Sequence, residues 1–297
     1  MTENIITNIF IIFLGYFIKK IKILPSEAGS TLSRFVIYIT LPATILKVFL
    51  TSYISHDIFF LPFISFSFGI VVFIIGFIFL RNKKLDNNLR WTLLIGICGY
   101  NVGLFSYPFI RSFYGDEGLL YMAMFDIGNS FIVFGLSYAL SILSEGNWSL
   151  SEVKNVIKKV LLFFPLDVYF VSLILNLLKV NFPSIFISIL NYLSLSNFTL
   201  ALFTIGYFLD FKLDKKEIEA LFYGLVIRFI PGILFAIFLR RFLEDSLFIR
   251  IISLGVLLPA PLVVVIYSNE MGLNSRFASL YVSLTILIGT FFLIIFK

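Results

Sequence analysis

Asn101 is the residue at which chemistry could concentrate. It lies in GICGYNVGLFSYPFIRSFYGDEG (96–118), inside a long apolar run that also carries Gly96, Gly99, Gly103 and Pro108. An amide among groups that cannot hydrogen-bond it is costly unless it finds a partner. Proline removes a backbone donor and clashes with the preceding turn, so a break is expected near Tyr107. Gly99 and Gly103 are four apart, on one helical face, and would admit another backbone. Broken backbone at membrane depth is tolerated only where it is buried in protein or lines a wet cavity. The stretch therefore reads as a discontinuous membrane helix at a binding site, or else as a proline-kinked span with packing glycines and a satisfied asparagine. In the first reading each half-helix N-terminus carries roughly half a positive charge and outward-aimed N–H donors. Such ends bind carboxylates without a basic side chain, which suits an anion that must be released again.

A second set of residues is ionisable. Charges within a span cost about 2.5–3.5 kcal/mol on insertion scales and are functional candidates by default. Asp126 lies within the fifth apolar segment, with Asn129 one turn on. It is a proton or cation site, or a carboxylate that caps a broken helix. Arg228, in the eighth segment, is a partner for Asp126 or a structural arginine that snorkels. Asp167 and Lys47 are placed near interfaces, Glu270 in solvent at the end of the ninth segment, His56 in a loop, and Cys98 as a small packing residue. One cysteine and one histidine exclude a disulfide framework or a cysteine–histidine metal cluster within one chain.

The elements that must position these residues are membrane helices. The 297 residues are 60% hydrophobic and 13% charged, against about 25% charged in soluble domains, and mean hydropathy is +1.02. The apolar runs are continuous, without the alternation of a barrel strand. Ten spans are expected, near 4–18, 30–50, 58–80, 91–113, 117–143, 157–178, 184–209, 217–239, 247–269 and 276–296, most reaching the ~20 residues a bilayer requires. The first is short and should lean on its neighbours or lie where the bilayer is thin. It lacks a basic start and a cleavage site, so it reads as a retained span. Trp91 and Trp148 fit interfacial anchors.

Of 23 basic residues, fifteen fall on one side of these spans and seven on the other, with Arg228 inside a span. The richer side is cytoplasmic by the positive-inside rule, which places both termini on the non-cytoplasmic side of a cell membrane. The spans divide at 144–156, a cytoplasmic connecting loop, into 1–143 and 157–297. Five spans per half make the second half start from the opposite face, the arithmetic of an inverted repeat. The ninth span reads GVLLPAPLVVVIYSNEMG, with Pro259 and Pro261 near its middle. The fourth member of each half is thus proline-broken, and paired interruptions of this kind point to a transport site.

Several short motifs together resemble the auxin efflux carrier family, which includes plant auxin exporters and bacterial permeases for small organic acids. They are Tyr38-Ile39-Thr40-Leu41-Pro42-Ala43, Asn101-Val102-Gly103-Leu104-Phe105-Ser106-Tyr107-Pro108, Tyr114-Gly115-Asp116-Glu117-Gly118, Phe125-Asp126-Ile127-Gly128-Asn129 and Arg228-Phe229-Ile230-Pro231. The resemblance runs almost end to end. It implies a scaffold part, a transport part, and broken helices four and nine crossing with Pro108 near Pro259 and Pro261. It also implies an organic-anion substrate, with Asn101, Val102, Gly103, Leu262 and Val263 as binding candidates. Ser106 stands where a glycine is common, and Leu262 near where an asparagine is common. The long central loop of plant exporters is absent, which favours the short bacterial permease type.

The function expected is secondary active transport of a small mono- or dicarboxylate by alternating access, with the bilayer and that anion as partners. No nucleic acid is needed to explain the net charge of +6, and a homodimer is a candidate assembly. No cofactor is expected beyond a coupling proton or sodium ion. A sodium symporter of the bile-acid type and a passive anion channel are the alternatives. An enzyme would need clustered acid–base or nucleophilic groups, which the sequence does not offer. No G-x-x-x-x-G-K-[ST] loop occurs for a nucleotide-driven pump.

Overall fold

The computed structural model describes the chain apart from Met1, Ser26, Glu145, Asn147, Trp148 and Leu213, and apart from the side chains of Thr2 and Asn4. The expected anchor Trp148 thus lies outside the described residues. The described residues are helical, with no strand among them. In chain order the helices are α1 (Thr2–Lys20), α2 (Ala28–Phe35), α3 (Leu41–Thr51), α4 (Leu61–Arg81), α5 (Asn87–Ile97), α6 (Tyr107–Ser130) and α7 (Ser137–Leu143). They continue as α8 (Leu150–Leu161), α9 (Phe164–Leu177), α10 (Ser184–Phe208), α11 (Ile218–Phe242), α12 (Leu247–Gly255), α13 (Val263–Glu270) and α14 (Ser275–Ile295). Wider π turns at Val36–Thr40, Val102–Ser106 and Phe131–Leu136 continue the α-helices beside them.

Six helical stretches are long and apolar enough to cross a membrane: Ala28–Thr51, Asp57–Arg81, Val102–Leu143, Ser184–Phe208, Lys215–Phe242 and Ser275–Ile295. A seventh counts if Leu150–Leu161 and Phe164–Leu177 form one span. This is a multi-pass membrane protein. Phenylalanine, isoleucine and leucine side chains stand exposed along α1, α4, α10 and α11.

Two compact units interleave along the chain. One takes residues 1–58, 102–124 and 162–209, and the other 59–101, 125–161 and 210–297. In the first unit α1 lies along α10, and α3 packs on both α9 and α10. The α1–α10 seam is main chain against main chain. A Cβ on Gly15 would fall 2.1 Å from the Phe203 carbonyl oxygen, and one on Gly206 would fall 1.9 Å from that of Ile12. Each glycine makes room for the other helix, which is how small residues bring membrane helices together. Polar side chains fasten the same unit. Thr40 Oγ1 donates to Asn197 Oδ1 at 2.8 Å, and Asn176 Nδ2 donates to the carbonyls of Phe49 (2.6 Å) and Ser52 (3.0 Å) where α3 ends. In the second unit α4 packs on α5, α11 and α12, while α5 also meets α7, α13 and α14.

The structure departs from the sequence reading in three places. Residues 150–156, expected as loop, are the first turns of α8, and the helical path stops at Leu161 and restarts at Phe164. Pro165 explains the restart: at the first turn of a helix its missing N–H costs nothing. The fourth span breaks at 98–101 rather than near Tyr107. Pro108 sits in the first turn of α6, just after the Val102–Ser106 π turn, which absorbs the lost hydrogen bond without ending the helix. Gly99 therefore lies inside the break and Gly103 in the turn after it, and the two do not share one helical face.

Candidate functional site

Four consecutive residues without helical structure, 98–101, separate α5 from the Val102–Ser106 turn. The chain leaves α5 through Cys98 in an extended conformation and turns at Gly99, whose φ of 70° favours glycine. A Cβ there would also fall 2.3 Å from Val133 Cγ2. A helix end of this kind strands carbonyl oxygens that must be satisfied away from water.

Nearly every stranded group has an identified partner. The Cys98 thiol donates to the Leu94 carbonyl at 3.0 Å. Tyr100 is held on both sides by one side-chain amide: its N–H donates to Asn129 Oδ1 at 2.7 Å, and its carbonyl accepts from Asn129 Nδ2 at 2.9 Å. The same Nδ2 donates to Asp126 Oδ1 at 2.8 Å. Asn129 and Asp126 are both buried. Asp126 thus fixes which way the asparagine faces, and the asparagine fixes the broken backbone.

The second break lies at 256–262, between α12 and α13. The two breaks meet where the Asn101 N–H donates to the Pro259 carbonyl at 2.9 Å. The Ala260 N–H donates to Thr285 Oγ1 at 3.1 Å. Arg228, from α11, serves both breaks. Its Nε and Nη2 donate to the Leu258 carbonyl at 3.1 and 2.9 Å. Its Nη2 also reaches the Gly99 carbonyl at 2.9 Å, and Nη1 the Gly96 carbonyl at 3.2 Å, with that of Ile97 at 3.5 Å. The guanidinium is 1% exposed, and its carbon stands 4.9 Å from the centre of the Tyr100 ring.

One polar atom at this junction is left over. Asn101 is 5% exposed, and its Nδ2 has no hydrogen-bond partner among the described residues. Leu262 and Val263 open α13, so their N–H groups are among those no intrahelical carbonyl accepts. Val102 and Gly103 follow Asn101 directly in the π turn. Of the residues singled out from sequence, Asn101, Pro259, Asp126 and Asn129 are joined in this one network. Pro261 lies in the second break, and Pro108 belongs to α6.

Sequence reasoning placed Arg228 only as a partner for Asp126 or a snorkelling side chain. Its hydrogen bonds show an interior arginine directed at main-chain carbonyls. Sequence reasoning placed Lys47 near an interface, whereas it is buried and ion-paired with Asp116, with Arg111 Nε 3.5 Å from the same carboxylate. Glu270, Asp167 and His56 are exposed, and Cys98 is wholly buried.

A family model described as membrane transport protein matches residues 1–297. An uncharacterized transporter of Methanothermobacter thermautotrophicus is 27% identical over 219 residues, 73% of this chain and 70% of the relative. An uncharacterized transporter of Methanocaldococcus jannaschii is 28% identical over 232 residues, 75% of this chain and 73% of the relative. The broken helices belong to a transporter and not to an enzyme: the chain is a member of the membrane transport protein family, the auxin efflux carrier family that its motifs resemble.

Proposed function

We propose that the protein is a secondary carrier for a small organic anion, a mono- or dicarboxylate, bound where the broken fourth and ninth spans cross. The observation that carries this reading is the Asn101 amide, buried with an unused donor at a junction whose other polar groups are largely satisfied. A carboxylate supplies the missing acceptor. The N-terminal N–H groups of α13, at Leu262 and Val263, add the half-helix positive end that anion sites use.

Ten spans in two inverted halves, 1–143 and 157–297, remain the architecture of this proposal. Val102–Leu143 would rise about 63 Å if straight, twice a bilayer core, and Gly115 interrupts it with φ 65° and ψ −154°. Contacts also pair as exchanged halves require. The first span meets the seventh and the second the sixth (α1 with α10, α3 with α9), and the third meets the ninth and the fourth the eighth (α4 with α12, α5 with α11). The division into two compact units suits alternating access, with both termini outside the cell and Asp126 as the proton-coupling candidate.

The test is counterflow into proteoliposomes against a panel of mono- and dicarboxylates. Saturable uptake of one acid, accelerated by the same acid on the trans side, is expected. Flux that is linear in concentration and indifferent to trans acid would make the protein a channel. No flux with any acid in the panel would remove the organic-anion assignment.

A further inference from the structure

We infer that Arg228 is a tethered cation occupying the position where carriers of broken-helix type bind an exchangeable coupling ion, so that this protein works without sodium. In such carriers, unwound carbonyls and half-helix C-terminal ends coordinate the sodium ion or proton. Here the C-terminal end of α5 and the chain just past the C-terminal end of α12 converge on one guanidinium. The carbonyls of Gly96, Gly99 and Leu258 accept from it at 2.9–3.2 Å. Each helix C-terminus carries roughly half a negative charge, so two of them match the single positive charge of the arginine.

The fork of the guanidinium suits this task. It presents five N–H donors in a plane and never loses its proton in a protein. One Nη2 spans both breaks, with the Gly99 carbonyl on one side and the Leu258 carbonyl on the other, each at 2.9 Å. The Tyr100 ring covers one face. A metal ion entering this position would have to displace these hydrogen bonds and share a 1%-exposed space with a fixed positive charge. Unlike a bound ion, the arginine cannot leave with the substrate.

The inference builds on the carrier reading only for flux, and its main readout needs no substrate. The experiment measures the thermal unfolding midpoint of the purified full-length protein in sodium chloride and in choline chloride at equal ionic strength, for the natural sequence and for Arg228→Ala, with and without added ethylguanidinium. The natural protein should show the same midpoint in both salts. Arg228→Ala should unfold at lower temperature and recover in part with ethylguanidinium. Should Arg228→Ala not accumulate, Arg228→Met and Arg228→Lys replace it. Methionine fills the space without charge and should be the less stable of the two, since lysine keeps the charge but not the fork. A midpoint of the natural protein raised by sodium over choline would overturn the inference, as would an Arg228→Met protein as stable as the natural one. In the counterflow assay, flux that requires sodium overturns this inference and leaves the carrier intact. Absence of flux alongside sodium-indifferent stability overturns the organic-anion reading alone.

Discussion

Substituting Asn101 by alanine should separate binding from stability. The backbone bond from Asn101 N–H to the Pro259 carbonyl survives the change, so the two breaks stay joined. The side chain that is lost carries a buried Nδ2 with no partner among the described residues. An unsatisfied buried donor costs about 1–3 kcal/mol, and removing it offsets the packing lost with the carboxamide group. The unliganded midpoint should therefore hold or rise. Binding should suffer, because a hydrogen bond to a charged acceptor is worth about 1.5–3 kcal/mol, or roughly 10- to 150-fold in Kd at 1.4 kcal/mol per decade. The assay is equilibrium binding of the acid selected by counterflow, run beside thermal unfolding of the same preparations. Unchanged affinity would show that the amide does not touch substrate. A midpoint that falls while affinity holds would make Asn101 a structural residue and the reasoning from its unused donor wrong.

Three further outcomes follow from the geometry. Asp126→Asn keeps an acceptor for Asn129 Nδ2, so the protein should fold while the pH dependence of flux flattens; flux with an unaltered pH profile removes Asp126 from coupling. Gly206→Ala places a methyl 1.9 Å from the Ile12 carbonyl oxygen, and thermal unfolding should register a loss of at least the ~1–3 kcal/mol that overpacking commonly costs. Asp214, capping the turn before α11, is held below the usual carboxylate range first by the Lys216 backbone N–H and then by Arg276. A depressed carboxyl contributes its stability in full above the unfolded value and loses it as pH falls through the folded one. Asp214→Asn should thus lower the midpoint at neutral pH and weaken its decline in acid, while a decline as steep as that of the natural protein would assign the acid sensitivity elsewhere.

The membrane class, the two broken helices and the asparagine at the first break were legible from sequence, because apolar run length, proline and an isolated amide are local signals. Where the fourth span breaks was not. Pro108 drew the expected break to its own position, yet proline tolerates the first turn of a helix, and the glycine with positive φ at 99 marks the true interruption. The role of Asn129 was hidden because its partner, Tyr100, is 29 residues away. Arg228 was hidden for the same reason. Its acceptors are carbonyls, which every residue has and no sequence advertises. That α1 packs along α10 was one of two readings its shortness allowed, but nothing in the order of residues tied Gly15 to Gly206.

That last pair has a mechanical consequence. Most helix seams are cushioned by side chains, and each side chain that hops between rotamers lets the two axes shift a little. Where Gly15 and Gly206 meet opposing carbonyls there is no χ angle to hop and little left to compress. Association there freezes no side-chain entropy, and the seam gains no slack as the temperature rises. The α1–α10 pair should behave as a stiff beam within its unit, with amide hydrogens around Ile12 and Phe203 that exchange only when that whole unit opens.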